Sequence, residues 1–475
     1  MSSAVDVAAV ERERSSLSLG GLIVLAFGAL DFGLESSIVL PALPAIAREY
    51  GGSLIAVSWL ATGFLLASVV AIPLFARLGD IFGRRRLLLA ALGAFCVGSL
   101  MCAVADSIGL LIAGRIVQGA GAAIGPLAVG IARDALPAER LTRAFGTFVG
   151  AAGAGAAIGY VLSGLLVDHV SVAAIFWFLF GLSIALLAAA TVLVPTAPPR
   201  KRVAVDFAGA ALLAAGLAAL LLAISKGNDW DWTSARTLGA FAGAAALLAA
   251  FLVVERSVTH PLVDPALLGR PPFPNAMVCA LAVGYAFAVV VIAVPQLAAL
   301  PTATGHGLGY STTSTGLLLV PMAVTSIAAA SLAGRYVDDV GPRTLMAIGS
   351  AAAVAGYTAL IAAHGTAVAI ATATGAIGVA VGLTVTGILA LVGRSATLDK
   401  TSVATAVNAV TRTTGTAVGA AAAAAVLTGA LTVGPVPAES GFTDCFLMGA
   451  IASAFALLAS VLLPGRAAGR DSPTR

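Results

Sequence analysis

Charged residues are scarce in this sequence of 475 residues, since only 10% are Asp, Glu, Lys or Arg. Soluble globular domains carry about 25% of these residues. By contrast, 60% of the residues are hydrophobic and the mean hydropathy is +1.03. Apolar runs of about twenty residues, the length that crosses a bilayer as a helix, recur along the whole chain. The composition excludes a soluble domain and predicts an all-α polytopic membrane protein.

Cysteine and histidine are also rare, with four of each. Cys96, Cys102, Cys279 and Cys445 lie in or beside apolar segments without a C-x-x-C pair or a histidine cluster, so neither a disulfide framework nor a metal site is indicated. The chain has no G-x-x-x-x-G-K-[ST] loop for a nucleotide. We expect no enzyme activity and no cofactor, and the energy source is either an ion gradient or the gradient of the substrate itself. The net charge is +4, but the basic residues are scattered over short loops instead of forming one patch, so nucleic-acid binding is not indicated.

Apolar segments predict fourteen membrane spans in three groups. The first six lie near residues 20–41, 54–75, 87–105, 108–131, 144–166 and 172–194. An inserted pair follows near 207–224 and 236–254, and the last six lie near 275–297, 314–333, 344–363, 366–393, 402–430 and 445–463. The predicted organisation is a tail over 1–19, a bundle over 20–198, the inserted pair over 199–256, a second bundle over 257–464 and a tail over 465–475.

The positions of Lys and Arg predict the orientation. With fourteen spans both termini share one side of the membrane. Of 26 Lys and Arg, only Arg48, Lys226 and Arg236 then fall in loops of the other side, and only Arg115 and Arg412 lie within spans. Short cytoplasmic loops carry the excess of basic residues. We therefore expect both termini in the cytoplasm and a location in the plasma (inner) membrane.

Two loops indicate an internal duplication. The loop after span 2 reads ARLGDIFGRRR and the loop after span 10 reads GRYVDDVGPR. A shift of 258 residues superposes Asp80 on Asp338 and Gly83 on Gly341. A duplicated six-helix unit with a helix pair inserted between the copies explains both the shift and the number of spans.

Several motifs resemble those of the major facilitator superfamily, and within it the fourteen-helix drug:proton antiporters. The loop after span 2 is similar to G-x-L-x-D-R-x-G-R-R, with Ala76 at the first glycine. LESSIVLPALP (34–44) is similar to the span 1 motif L-D-x-T-I-V-N-V-A-L-P, with Glu35 at the aspartate. RIVQGAGAA (115–123) matches the span 4 motif R-x-x-Q-G-x-G-A-A, and HPLVDPALLGRPPF (260–273) resembles the loop entering the second half. The resemblance implies a monomeric proton-coupled exporter with two rocking bundles.

Span 5 departs from that family. Its antiporter motif G-P-x-x-G-G is replaced by residues 159–164, GYVLSG, in which Tyr160 stands at the proline. Gly155, Gly159 and Ser163 still form a small-x-x-x-small face for helix packing. Antiport is therefore less strongly indicated than transport.

Glu35, Asp31 and Arg115 are the candidate proton-coupling residues. Asp31 and Glu35 lie four residues apart and share a helix face. With a rise of about 1.5 Å per residue, Glu35 lies about 22 Å from the cytoplasmic side and Arg115 about 10 Å below the outer side of a core roughly 30 Å thick. At similar depth they can pair, and desolvation of the carboxylate then opposes the charge of the guanidinium. The alternatives are a permanent salt bridge and, for Asp31, a purely structural role.

Gln118, Arg412 and Gln296 are the candidates for the substrate cavity. Gln118 lies one turn from Arg115 and can instead hydrogen-bond between helices. Arg412 can serve substrate, proton relay or interhelical bonding. The candidates for a cytoplasmic gate, in which arginines of one half bind carboxylates of the other, are Asp80, Gly83, Arg84, Arg85, Asp338, Gly341 and Arg343. Its alternative is a basic loop that only sets topology.

Three functions compete at this stage. The first is proton-coupled efflux of small amphipathic or hydrophobic, often cationic, compounds through the lipid bilayer by alternating access. The second is export of an endogenous lipid or metabolite. The third, from another class, is a non-transporting membrane sensor or scaffold, which we expect to have lost the charges within its spans.

Overall fold

A computed structural model describes residues 17–136, 138–196, 206–258, 272–395, 401–431 and 436–463. The predicted tails, apart from residues 17–19, lie outside these ranges. The basic run 200–202 and most of the loop 260–273 also lie outside them.

Sixteen α-helices form within the described ranges. They are α1 Leu19–Ile38, α2 Leu43–Tyr50, α3 Leu54–Phe82, α4 Arg84–Ala103, α5 Ile108–Gln118, α6 Ile124–Ala135, α7 Ala138–His169, α8 Val172–Leu193, α9 Phe207–Trp230, α10 Ala235–Ser257, α11 Phe273–Ala299, α12 Thr312–Val340, α13 Pro342–Ala362, α14 Ala367–Ser395, α15 Thr401–Gly429 and α16 Glu439–Val461.

Thirteen segments among the described residues are long and apolar enough to cross a membrane, counting α5 and α6 as one. Helix α15, at the predicted span 13, is 29 residues long but is not among these thirteen. The all-α polytopic fold is therefore confirmed.

Serine side chains begin many of these helices. Ser18, Ser53, Ser171, Ser234 and Ser311 each accept a hydrogen bond from the backbone N–H three residues later, at 3.1 to 3.3 Å. Such caps satisfy a donor that the first helical turn leaves without a partner. Short serine-containing loops therefore set where the helices begin.

The predicted span 4 is not one continuous α-helix. A 3₁₀ segment, Gly119–Ala123, separates α5 from α6. Gly119 lies directly against the backbone of α3, where a side chain would collide with the Phe64 carbonyl, and its own carbonyl accepts a hydrogen bond from Ser68 at 3.3 Å. The close approach of α3 accompanies this tighter turn just after Arg115.

Two bundles meet along two seams. Within the bundles, α1 packs on α7 and α11 packs on α15, while between them α7 faces α12 and α3 faces α15. Gly155 and Gly159 of α7 allow the close packing, because they lie against the backbone of α1. In the inserted pair, α9 covers the seam of α3 and α15, and Asn228 donates to the Ala425 carbonyl at 2.6 Å.

The apolar core differs between the two ends of the molecule. At the end where α7 finishes and α12 begins, one continuous cluster joins both bundles, from Ile38 and Val57 to Val294 and Leu427. At the opposite end, one cluster belongs to the amino-terminal bundle alone. Another joins the carboxy-terminal bundle to the inserted pair, with Val69 of α3 among its buried members. The bundles are thus joined at one end and largely separate at the other.

Candidate functional site: a central cavity with two arginines

A cavity of about 350 Å³ lies between the two bundles. Its walls come from α1, α3, α5, α6 and α7 on one side and α11, α12, α14 and α15 on the other. Most of the lining is apolar, including Phe32, Phe64, Ile292 and Met322. This size and chemistry are typical of a site for a small organic molecule.

Arg115 and Glu35 form an ion pair on the wall made by the amino-terminal bundle. Nη1 of Arg115 lies 3.3 Å from Oε1 of Glu35, and the two side chains are 2% and 1% exposed. Arg115 lines the cavity, with its guanidinium carbon 4.4 Å from the centre of the Phe64 ring. The two residues therefore lie at the same level of the bundle, as their similar predicted depth in the membrane requires.

A hydrogen-bond network holds Arg115 in place. Its Nε donates to the Leu60 carbonyl at 3.1 Å and its Nη1 donates to Oε1 of Gln118 at 2.9 Å. Gln118 in turn donates to Ser99 at 2.8 Å. Glu35 is held less completely, because its Oε2 has no hydrogen-bond partner among the described residues. The network fixes the arginine and leaves one carboxylate oxygen free to accept a proton.

Asp31 lies deeper in the same bundle, one turn from Glu35. It is fully buried, and neither carboxylate oxygen has a hydrogen-bond partner in the described part of the chain. It does not belong to the cavity lining. The structure therefore places Asp31, like Glu35, behind the residues that line the cavity.

Arg412 lies on the opposite wall, in the middle of α15. It is partly buried and lines the cavity. Within the described ranges its guanidinium forms no ion pair and no hydrogen bond, whereas its backbone carbonyl accepts from Thr416 at 3.0 Å. Gly284 of α11 lies against that carbonyl, which holds the backbone of α15 close to α11.

Two of the expected cavity residues lie elsewhere. Gln118 is fully buried and serves the hydrogen bonds between Arg115 and Ser99. Gln296 lines a separate small void beside Leu43 and Ser58. Neither glutamine is among the described residues that line the central cavity in this conformation, and their role in substrate binding stays a prediction.

The expected gate residues of the first half bond within their own bundle. Arg84 contacts Asp80 at 2.9 Å, Asp134 at 2.8 Å and the Gly130 carbonyl at 2.7 Å. These contacts tie the end of α3 to the end of α6. Among the described residues, Arg84 forms no contact with a carboxylate of the other half in this conformation, because the bundles are largely apart at this end.

The duplicated loops share their backbone geometry. Gly83 has φ 96° and ψ 127°, and Gly341 has φ 87° and ψ 146°, values that favour glycine. Arg85 donates to the Thr191 carbonyl and, at 2.9 Å, to Thr196 near the end of α8. Arg343, 258 residues later, donates to the Val461 carbonyl at the end of α16 at 2.7 Å. Each arginine therefore fastens the sixth span of its own bundle, while Asp338 lies exposed at the end of α12.

Comparison with known proteins decides the family. A sequence model described as "Major Facilitator Superfamily" matches residues 25–420. The chain belongs to the major facilitator superfamily. It is accordingly a multi-pass membrane protein of a superfamily of transporters.

Curated relatives of this superfamily include exporters of antibiotics. The chain is 30% identical over 69% of its length to the tetracenomycin C resistance and export protein of Streptomyces glaucescens, covering 60% of that protein. It is 32% identical over 68% of its length to a cephamycin export protein of Amycolatopsis lactamdurans, covering 66% of it. An uncharacterised transporter of Mycobacterium tuberculosis is 32% identical over 67% of the chain. The alignment spans only 45% of that relative, so the chain matches less than two thirds of several of these proteins.

Solved structures of other transporters have a similar fold. The human organic anion transporter MFSD10 has a TM-score of 0.63, with 93% of this chain and 98% of that chain covered. The nucleoside transporter NupG has a TM-score of 0.62, with 94% and 99% covered. Because the sequence identities are only 16% and 11%, the similarity is limited to the fold.

One polar contact of this superfamily member carried no signal in the sequence. Asp168, at the end of α7, accepts hydrogen bonds from the backbone N–H groups of Thr312 at 3.1 Å and Thr313 at 2.8 Å, and from the Thr313 hydroxyl at 2.7 Å. It therefore caps α12 of the other bundle. The residues are 144 to 145 positions apart, and a lone aspartate at a helix end does not identify such a partner.

Proposed function

We propose that this transporter exports small amphipathic or hydrophobic compounds in exchange for protons, by alternating access of the central cavity. The observation that carries the proposal is the buried Glu35 and Arg115 pair at the cavity wall, with Oε2 of Glu35 unpartnered. No bound nucleotide or cofactor enters the proposed cycle.

The pair offers a physical route for coupling. When Glu35 gains a proton, the pair loses its negative charge and Arg115 becomes an uncompensated cation on the cavity wall. Breaking a buried ion pair in this way typically costs about 3 to 5 kcal/mol. Protonation of Glu35 therefore favours a conformational change or an exchange of substrate that relieves this cost.

The names of the relatives support an organic substrate. Two of them are named as exporters of tetracenomycin C and of cephamycin, and another as multidrug resistance protein 3 of Bacillus subtilis. Export of an endogenous metabolite is favoured by the first two names, and export of foreign compounds by the third. Both possibilities fit the mostly apolar cavity.

The orientation is part of the proposal. We place the Arg84 end and both termini in the cytoplasm of a cell with an inner membrane, so the cavity is closed toward the outside. Asp229→Cys lies in the last turn of α9, beside the loop to α10, and Tyr336→Cys lies near the end of α12. A membrane-impermeant maleimide added to intact cells should label position 229 but not 336. Labelling of 336 alone would reverse the orientation.

Glu35→Gln tests the proton site, because glutamine keeps the shape and hydrogen bonding but cannot ionise. In proteoliposomes the variant should bind substrate within about threefold of the wild type and lose accumulation driven by a pH gradient. Downhill exchange should remain. Glu49→Gln is the matched control, because this exposed residue lies outside the cavity and its substitution should leave accumulation unchanged.

Asp31→Asn separates the two carboxylates. Because Glu35, and not Asp31, forms the ion pair with Arg115 of the cavity wall, we expect a smaller loss of proton-driven accumulation than in Glu35→Gln. Normal pumping by Glu35→Gln and failure of Asp31→Asn would move the proton site to Asp31. If neither variant alters proton-driven transport, the coupling proposal for α1 is wrong. A wild-type protein that moves no compound of a broad panel would favour the scaffold alternative.

A further inference from the structure

The cavity wall is positively charged. Among the described residues that line it, the two charged side chains are Arg115 and Arg412, and none is a carboxylate. Glu35 balances Arg115 from behind the wall. Arg412 has no such partner in the described ranges. The surface offered to a substrate therefore carries one uncompensated positive charge.

Such an arginine is costly beside apolar groups unless something pairs with it. A charged group withdrawn from water requires a counter-charge or hydrogen bonds. The planar guanidinium of arginine matches a carboxylate or a similar oxyanion with two parallel hydrogen bonds. A cationic substrate would instead meet repulsion from Arg412.

The surroundings of Arg412 suit a molecule with one acidic end and an apolar body. Phe287 and Val291 of α11 and Met322 of α12 line the cavity together with Arg412 and Thr413 of α15. Gly284 holds the Arg412 backbone against α11, so the position of the guanidinium is set by helix packing. The charge is therefore placed at a fixed point of a mostly apolar chamber.

We propose that Arg412 binds an acidic group of the exported compound, and that the substrates of this transporter are amphipathic anions. This inference rests on the proposed export function and names its substrate class. It replaces the expectation from the sequence that the compounds are often cationic.

A pair of xanthene dyes tests the inference, because fluorescein is an anion at alkaline pH and rhodamine 123 is a cation on a related ring system. Equilibrium binding to the purified full chain is measured by fluorescence polarisation at one alkaline pH, without a gradient. The wild type should bind fluorescein at least tenfold more tightly than rhodamine 123. Arg412→Gln should weaken fluorescein binding at least tenfold and leave rhodamine 123 binding equal or stronger.

Two further variants keep this test interpretable. Arg412→Lys retains the charge without the planar fork, and should keep fluorescein binding within about fivefold of the wild type. Arg236→Gln makes the same chemical change at an exposed position outside the cavity and should alter neither dye. Size-exclusion profiles and thermal melting establish that each variant is folded.

Several results would overturn the inference. These are equal binding of the two dyes, absence of fluorescein binding, or an Arg412→Gln variant that is folded and binds fluorescein like the wild type. A parallel loss of both dyes in Arg412→Gln would assign Arg412 to helix packing. Proton-driven accumulation, tested through Glu35, is a separate measurement. Coupled transport without a preference for the anion would contradict only this inference. Anion binding without coupled transport would contradict only the proposed function.

Discussion

The two ends of the molecule are held by different kinds of contact. At the Asp168 end, one apolar core joins both bundles and a carboxylate of α7 caps α12 across the seam. At the Arg84 end, the cores of the two bundles are largely separate and Arg84 bonds to Asp80 and Asp134 of its own bundle. The structure is therefore a state closed at one end.

This difference indicates which contacts must break during transport. Alternating access requires the Asp168 end to open while the Arg84 end closes. The contacts of the Asp168 end cross the seam and have to be released, whereas those of Arg84 lie within one bundle and hold its helices together while that bundle moves. Substitutions at the two ends should therefore change different steps.

Gly316→Leu should have the largest effect. Gly316 of α12 lies directly against the Tyr160 carbonyl of α7, so a larger side chain prevents the two helices from meeting. Overpacking of this kind costs about 1 to 3 kcal/mol, which corresponds to as much as a hundredfold change in the closed population. Transport should fall by about that factor. A cysteine at Ser36 in the cavity should become reactive to an impermeant maleimide from the Asp168 end.

Gly334→Leu is the control on the same helix. No neighbouring atom lies where a side chain at this glycine would begin, so we expect transport within twofold of the wild type. If both substitutions impair transport equally, general damage to α12 accounts for the loss. The comparison of the two ends would then lose this support.

The sequence allowed the prediction of features that depend on depth and hydrophobicity. Apolar runs predicted the spanning helices, and equal depth in the membrane brought Glu35 and Arg115 to one level. The 3₁₀ segment Gly119–Ala123 was missed because it accompanies a close approach of α3. The positions of Gln118 and Gln296 away from the described cavity lining were not predicted, because a single sequence does not show which helix face meets the cavity. Partners far along the chain, such as Asp168 and Thr313, carry no local signal.

Asp80→Asn should have an intermediate effect. It removes one of the two carboxylates that hold Arg84, while Asp134 retains the other contact at 2.8 Å. A charge-assisted hydrogen bond of this kind is worth about 1 kcal/mol or slightly more, so turnover should fall by roughly fivefold to tenfold. Substrate affinity should change less than twofold.

The control for Asp80 is Asp229→Asn, which removes an exposed ion pair with Lys226 near the end of α9. It should change neither affinity nor turnover. A collapse of affinity in Asp80→Asn with normal turnover of bound substrate would show that Asp80 does not act on the conformational change.

Asp168→Asn should have the smallest effect, and it tests the contact that crosses the seam. The substitution removes the charge that faces the amino end of α12 and replaces one accepting oxygen with an amide nitrogen. Loss of a helix cap and of its favourable charge costs about 1 kcal/mol, or roughly fivefold in the ratio of closed to open molecules. Maleimide labelling of a cysteine at Ser36 from this end should therefore accelerate about fivefold, with turnover changed by less.

Asp444→Asn provides the matched change at another exposed aspartate, near the start of α16, and should leave the labelling rate unaltered. Equal labelling rates in Asp168→Asn and the wild type would mean that the apolar core closes this end without help from the cap.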